Sequence, residues 1–240
     1  MARRDHLGRR AALESLIRHG YPNAALCAAG LADALAETLD HLLSLKPRLT
    51  LALSGGRSPR EVLPLLAAKP IDWSRVDVTL VDERRVPADH ADSNAGLVQH
   101  WFLDKGAAAA RLTPLWTETM PLADALSDTS RRLAPVLPAD IAYLGMGPDG
   151  HIASLFPAAS VTAFEHADGP VIATTAPAEP APRISLTLSM ILKIPHLYLH
   201  VTGSEKAHVL AETSESPPTP AVPVSLLVHA RPDLQVFTCP

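Results

Sequence analysis

Residues 141–157 read IAYLGMGPDGHIASLFP, and the interpretation of the chain starts from this stretch. Its first four residues, Ile141 to Leu144, form a short apolar run typical of a buried strand. Glycines, Asp149 and His151 follow directly, so such a strand would carry a carboxylate and an imidazole to one edge of a sheet. A tight turn requires glycine but not these two titratable side chains, and their presence indicates a functional loop.

The composition favours one globular domain and excludes several classes of partner. The chain has 240 residues, is 47% hydrophobic and carries a formal net charge of -4. This charge gives no reason to expect nucleic acid or an anionic membrane as a partner. No apolar run approaches the roughly 18 residues of a membrane span. Cys27 and Cys239 are isolated, which favours reduced thiols in a cytoplasmic protein.

Short apolar runs alternate with helical patterns along the chain. This alternation is typical of a mainly parallel sheet with helices on both faces. We therefore expect an α/β fold, a single-domain three-layer sandwich over residues 21–240, preceded by an N-terminal extension, residues 1–20, of unassigned role. The predicted strands are Leu49–Leu53, Val76–Val81, Leu112–Trp116, Ile141–Leu144, Val171–Thr175, Arg183–Leu188, His196–Thr202 and Leu234–Thr238. The predicted helices are Tyr21–Leu45, one capped by Ser93, Pro121–Leu137, one capped by Ser204 and Val224–His229.

A glycine pair follows the first predicted strand in the stretch Ser54-Gly55-Gly56. Ser58, Pro59 and Glu61 come next and form a helix-start pattern, with Ser58 as N-cap and Glu61 completing a capping box. Free backbone N–H groups and a positive helix end would meet at this turn and suit a phosphate-sized anion. A simple tight turn would use the same glycines, so this motif alone leaves both interpretations open.

A run of charges, Asp82-Glu83-Arg84-Arg85, follows the predicted strand Val76–Val81. A solvated loop is the commoner explanation of such a run. However, ligands bind at the carboxyl ends of strands in open α/β sheets, which makes Asp82 and Arg84 candidates for a pocket.

Four blocks of the sequence resemble the 6-phosphogluconolactonases of the glucosamine-6-phosphate isomerase/6-phosphogluconolactonase family. They occur in the family's order, over roughly residues 30 to 230. The resemblance implies the fold of sugar-phosphate isomerases and deaminases, and hydrolysis of a small sugar-phosphate lactone, 6-phosphoglucono-1,5-lactone, to 6-phosphogluconate in the oxidative pentose phosphate pathway. The blocks are Ser54-Gly55-Gly56 with Ser58-Pro59, Asp82-Glu83-Arg84 with Ser93-Asn94, Gly145 to Pro157, and Thr202-Gly203 with Lys206-Ala207.

The implied chemistry fits the residue types of the central block. Lactone hydrolysis needs an activated water, a site for the developing oxyanion and a proton for the leaving ring oxygen. His151 is the candidate general base and then acid, and Asp149 could orient its imidazole. Backbone N–H groups of the turn from Gly147 to Gly150 are candidate oxyanion donors.

The resemblance also implies a phosphate site. The phosphate would lie on the Gly55-Gly56 turn beside Ser58, with Arg183 and Lys206 as the cations by similarity to the wider superfamily. Relatives often carry a small hydroxyl residue at Arg57, so its side chain could instead point to solvent. Nothing in the sequence requires a cofactor or a metal, and we expect a monomer or a weak dimer.

Two other functions share this fold. Glucosamine-6-phosphate deaminases have a comparable Asp-Gly-His-Ile-Ala run, which Ile152-Ala153 matches, but they place a catalytic glutamate where this chain has Phe156. Non-catalytic sugar-phosphate-binding modules occur in bacterial repressors behind a DNA-binding segment, for which residues 1–20 are too short. The complete motif around His151 favours an enzyme.

Overall fold

The computed structural model of the protein describes residues 16–117, 121–157, 169–213 and 216–240. No helix within these ranges is both long and apolar enough to cross a membrane. The strands are β1 (Ile17–Gly20), β2 (Leu49–Leu53), β3 (Val76–Leu80), β4 (Asp82–Arg84), β5 (Arg111–Leu112), β6 (Ile141–Gly145), β7 (Val171–Thr175), β8 (Pro182–Leu186), β9 (His196–Thr202) and β10 (Gln235–Cys239). The α-helices are α1 (Ala24–Leu45), α2 (Pro59–Ala67), α3 (Asn94–Trp101), α4 (Leu122–Leu133), α5 (Leu188–Ile191), α6 (Ser204–Glu212) and α7 (Pro223–Ala230).

The main sheet has seven parallel strands in the order β1-β10-β9-β6-β2-β3-β5. Every residue of β2 is buried, as are the first four of β6. Central strands can be buried in this way only when both faces of the sheet are covered, which explains why they are continuous apolar runs. The predicted single-domain α/β fold with a mainly parallel sheet is therefore confirmed, and the strands after which the four motifs lie are neighbours or near neighbours in it.

The charge run after β3 is not a loop. Asp82–Arg84 forms β4, which pairs antiparallel with β8 in a second sheet of order β4-β8-β7. Only Val81 separates β3 from β4, and its carbonyl accepts a hydrogen bond of 2.8 Å from the N–H of Leu186. The pairing sets Arg84 directly opposite Arg183. Charged side chains on a short strand hide the apolar alternation from which strands are predicted.

Ile17–Gly20 belongs to the main sheet, although the sequence analysis had placed these residues in the N-terminal extension; residues 1–15 lie outside the described ranges. Within the part of the chain that the structure describes, this strand, β1, lies at one edge of the sheet and pairs with β10 alone. Three of its four residues are exposed. It is held by backbone pairing, which leaves no hydrophobic pattern in the sequence.

The boundaries of other elements differ modestly from prediction. Helix α1 begins at Ala24 rather than Tyr21, because Asn23 caps it by accepting from the N–H of Leu26 at 2.9 Å. Ser93 caps α3 as predicted, accepting from the N–H of Gly96. Larger differences are a two-residue β5, a shorter α4, a β8 that ends at Leu186 before α5, and a β10 shifted by one residue. The ends of β3, β6 and α7 differ from prediction by one residue each.

Candidate active site

The loop after β6 is a closed turn held by its own backbone. The N–H of Gly147 donates to the carbonyl of His151 at 2.9 Å, and the N–H of Gly150 donates to the carbonyl of Gly147 at 3.1 Å. Pro148 has no N–H. Asp149 thus carries the one N–H of this turn without a hydrogen-bond partner in the described part of the chain. Of the predicted oxyanion donors in this turn, the N–H of Asp149 is therefore the remaining candidate.

Asp149 and His151 form a hydrogen-bonded pair. The Nδ1 atom of His151 lies 2.6 Å from Oδ1 of Asp149, and the same oxygen accepts from the backbone N–H of His151 at 3.2 Å. An ionised carboxylate can only accept hydrogen bonds, so the imidazole proton lies on Nδ1. In the neutral ring Nε2 then carries a lone pair that can accept a proton. Both side chains are partly exposed and within reach of a substrate.

Two neighbours confine the imidazole ring. The rings of His151 and Phe156 have centroids 4.8 Å apart. A Cβ atom at Gly147 would lie only 2.2 Å from both Nδ1 and Cε1 of the ring and 2.6 Å from Oδ1 of Asp149. Glycine therefore lets the imidazole lie against the backbone, and a larger residue at this position would displace the ring.

Two helix N-termini meet beside the glycine turn. Ser58 occupies the predicted N-cap position of α2, but its side chain makes no capping bond, so the predicted capping box is wrong. Its backbone is already helical, and its hydroxyl lies 3.3 Å from that of Thr202 at the end of β9. Gly203, with φ +95°, is the N-cap residue of α6 in place of the predicted Ser204. Gly56 has φ +101° and no atom near its Cβ position, which leaves open space at the turn.

Lys206 joins this turn to the proton-transfer loop. It is half-buried, and its pKa is lowered by burial and by the positive charge of Arg57, while Glu205 and Asp149 oppose this change. Arg57 is exposed but close enough for its charge to act on Lys206. A lysine in the first turn of a helix faces the positive end of the helix dipole, which is unfavourable unless an anion binds nearby.

A second cationic group lies on β4 and β8. Arg183 is 7% exposed, and burial and the neighbouring charge of Arg84 lower its pKa, while Asp82 raises it. One nitrogen of Arg84 donates to the carbonyl of Asp92 at 2.6 Å, and its Nε is buried without a partner among the described residues. The charges that act on the pKa of Arg183 are those of Arg84, Asp82, Asp92 and Glu83, whereas those that act on the pKa of Lys206 are those of Arg57, Glu205 and Asp149.

Asp82 is turned toward the protein. It is 8% exposed, and its Oδ2 accepts from the hydroxyl of Ser154 at 2.6 Å. The side-chain amide of Asn94 donates to its backbone carbonyl at 2.9 Å and to its Oδ1 at 3.3 Å. Sequence reasoning assigned neither Ser154 nor Asn94 to the site, although both lie inside the motifs that carry the resemblance.

The remaining predicted residues support this edge of the sheet. The hydroxyl of Ser54 accepts from the N–H of Gly145 at 3.2 Å, which ties the glycine turn to the loop after β6. A cavity of about 1000 Å³ lies elsewhere, beside α3 and β5, and its lining includes neither His151 nor Lys206. Within the described ranges, no group of three or more His, Cys, Asp or Glu side chains could hold a metal ion.

Comparison with known proteins gives a consistent assignment. Residues 22–236 match the family described as glucosamine-6-phosphate isomerases/6-phosphogluconolactonase. The chain is 41% identical over 204 residues to a 6-phosphogluconolactonase of Neisseria meningitidis serogroup A, covering 82% of this chain and 87% of that protein. It is 36% identical over 229 residues to that of Pseudomonas putida, covering 92% of each. The crystal structure of a 6-phosphogluconolactonase from Shewanella baltica aligns with a TM-score of 0.89 at 30% identity, covering 95% of this chain and 99% of that one.

Proposed function

The chain belongs to the glucosamine-6-phosphate isomerase/6-phosphogluconolactonase family, and we propose that it is a lactone hydrolase that converts 6-phosphoglucono-1,5-lactone to 6-phosphogluconate. The observation that carries the proposal is the Asp149–His151 pair, whose free Nε2 lies on the same edge of the sheet as a cationic, glycine-lined turn. The pair supplies proton transfer, and the turn supplies a place for the phosphate.

In the proposed mechanism Nε2 of His151 accepts a proton from water as the water oxygen attacks the lactone carbonyl carbon. The imidazolium that forms keeps its Nδ1–H on Asp149, whose negative charge stabilises it at 2.6 Å. Because Asp149 and Phe156 hold the ring, little reorganisation is needed during this step.

The attack places a negative charge on the former carbonyl oxygen. The N–H of Asp149 is the candidate donor for this oxyanion, since the other N–H groups of its turn are already bonded. When the tetrahedral intermediate collapses, the bond between the carbonyl carbon and the ring oxygen breaks. The imidazolium returns its proton to that oxygen, which becomes a hydroxyl of the open-chain acid.

The phosphate is proposed to lie on the Gly55-Gly56 turn, beside the hydroxyl of Ser58 and the ammonium group of Lys206. Two helix N-termini and the exposed Arg57 add to the positive potential there. Arg183 and Arg84, which pair across β8 and β4, are proposed to contact the phosphate or the sugar hydroxyls. An anion would relieve the repulsion between the buried guanidinium group of Arg183 and the half-buried one of Arg84.

The surroundings of His151 favour hydrolysis over deamination. An aromatic ring, that of Phe156, packs against the imidazole at the position where the resemblance leads one to expect a carboxylate in a deaminase. Asp149 is then the one carboxylate paired with His151 among the described residues.

A coupled assay tests this function. The wild-type protein should accelerate loss of 6-phosphoglucono-1,5-lactone above its spontaneous hydrolysis, and glucosamine 6-phosphate should remain unchanged in a parallel reaction. His151→Ala should lower kcat by about 100-fold or more with little change in KM, because general base catalysis contributes on the order of 10² to 10⁴. A normal kcat in a folded His151→Ala protein would refute the mechanism, and deamination by the wild-type protein would refute the function.

A further inference from the structure

Asp82 connects the two halves of the proposed site through two buried side chains. One is Ser154, which lies in the same loop as His151, and the other is Asn94, at the start of α3. Both are 1% exposed, so solvent does not compete for these hydrogen bonds.

Asn94 is held rigidly and packs against the glycine turn. Its backbone N–H donates to Glu83 at 2.7 Å, and its side-chain amide donates twice to Asp82. Its Oδ1 has no hydrogen-bond partner among the described residues and would lie 1.7 Å from a Cβ atom at Gly55. Because Asn94 lies so close, it holds the turn in position, and position 55 has no room for a side chain.

Ser154 holds the loop of His151 in a similar way. Besides its hydroxyl bond to Asp82, its backbone N–H donates to the hydroxyl of Ser185 at 3.3 Å, and its carbonyl accepts from the hydroxyl of Thr174 at 2.8 Å. The loop is therefore fastened to the second sheet three residues after the imidazole.

We propose that Ser154, Asp82 and Asn94 are positioning residues that set the distance between the phosphate turn and His151; we call these three the Asp82 brace. Asp82 then acts through its neighbours and need not contact the substrate, in contrast to the role that sequence suggested. The inference rests on the proposed function. With the brace in place, binding of the phosphate puts the lactone carbonyl at the reactive distance from Nε2. The binding energy of the phosphate, which is remote from the reacting atoms, then raises kcat.

The two lactones with and without phosphate provide the test. Ser154→Ala should lower kcat for 6-phosphoglucono-1,5-lactone by about 10- to 100-fold with KM within about twofold, because a loosened loop misplaces the imidazole relative to the bound phosphate. Glucono-1,5-lactone has no phosphate to fix its position relative to the turn, so its kcat should change by less than about threefold. The ratio of the two kcat values should therefore fall at least about threefold. Asn94→Ala should lower the same ratio from the other end of the brace.

A control variant and a double-mutant cycle distinguish a positioning role from a general loss of stability. Thr79→Val removes another buried hydroxyl, which donates to the carbonyl of Thr113 at 3.0 Å away from the site, and should lower the melting temperature without changing the ratio. The double variant of Ser154→Ala with Asp82→Asn should be no slower than the slower single variant, since Asp82→Asn already disrupts the contact that Ser154→Ala removes.

Equal losses on both lactones for Ser154→Ala and Asn94→Ala, or additive effects in the cycle, would overturn the brace. A wild-type protein that hydrolyses neither lactone would instead refute the proposed function. The two failures are therefore distinguishable.

Discussion

Gly147→Ala should disable the site while leaving the fold intact. The added Cβ would lie 2.2 Å from Nδ1 and Cε1 of His151, whereas ordinary contacts begin at 3.4 Å. The ring must therefore withdraw by about 1 Å, and Phe156 restricts its retreat on one side. The same Cβ lies 2.6 Å from Oδ1 of Asp149, so the pair that orients the imidazole is disturbed as well. A displacement of about 1 Å from the reactive geometry costs on the order of 100-fold in rate, and we expect that loss in kcat.

The stability of this variant should change little. Gly147 has no positive φ, so alanine fits its backbone without strain. The side chains that it displaces are partly exposed and can move toward solvent, which limits the cost to about 1 kcal/mol. The matched control is Gly20→Ala in β1, where the added Cβ meets no atom within 4 Å.

The measurements are kcat and KM in the coupled lactone assay, together with the melting temperature of each protein. A kcat of Gly147→Ala within about threefold of wild type would refute the claim that the ring must stay where the structure has it. A kcat loss accompanied by a collapse of the melting temperature would refute the claim that the damage is local.

Three further predictions concern charge and protonation. Lys206→Ala should raise KM for the phosphorylated lactone by tenfold or more and leave kinetics on glucono-1,5-lactone nearly unchanged, because the ammonium group would bind only the phosphate. Burial and the charge of Lys206 lower the pKa of His200 to about 4, so the native protein keeps this histidine neutral while the unfolded chain protonates near pH 6.5. Between pH 7 and 5 the unfolded state therefore gains a proton, and His200 should account for about 2 kcal/mol of lost stability, which His200→Gln removes. Burial and its neighbour Cys239 raise the pKa of Cys27 to about 12, so a thiol reagent at pH 8 should modify Cys27 at least about 1000-fold faster after unfolding.

Each of these predictions has a direct contrary outcome. Equal losses on the two lactones for Lys206→Ala would remove Lys206 from the phosphate site. For the pH dependence, denaturant unfolding at pH 7 and 5 compares His200→Gln with His41→Gln, which changes an exposed histidine; the same pH dependence in both variants would refute the role of His200. Rapid modification of Cys27 in the native protein would show that its burial is not maintained in solution.

The architecture could be predicted well from the sequence because the central strands are rich in apolar residues. β2 and β9 were predicted at their observed bounds, since both are rich in apolar residues and buried over most or all of their length. β1 was missed because its exposed residues carry no apolar pattern, and β4 was missed because its charged side chains hide one.

The site was predicted less completely for a similar reason. Asp149 and His151 are two residues apart in the sequence, and their pairing could be anticipated from this spacing. Asp82 lies on β4, and Ser154 lies 72 positions later in the loop after β6. No local sequence pattern encodes the contact between them. The hydroxyl of Ser58 was expected to cap its own helix, but the folded backbone turns it toward Thr202 instead.

The order of strands also bears on how the protein is made. Among the strands of the described ranges, β10 alone neighbours β1 in the sheet, and Ile17 pairs with Gln235, 218 residues later in the chain. At a translation rate of about 5 to 20 residues per second, the ribosome needs roughly 10 to 40 s to supply that partner. During this interval the first strand cannot take its native place. The β1 edge of the main sheet is therefore completed only after β10 has been synthesised, and until then chaperones or another nascent chain have access to the strand.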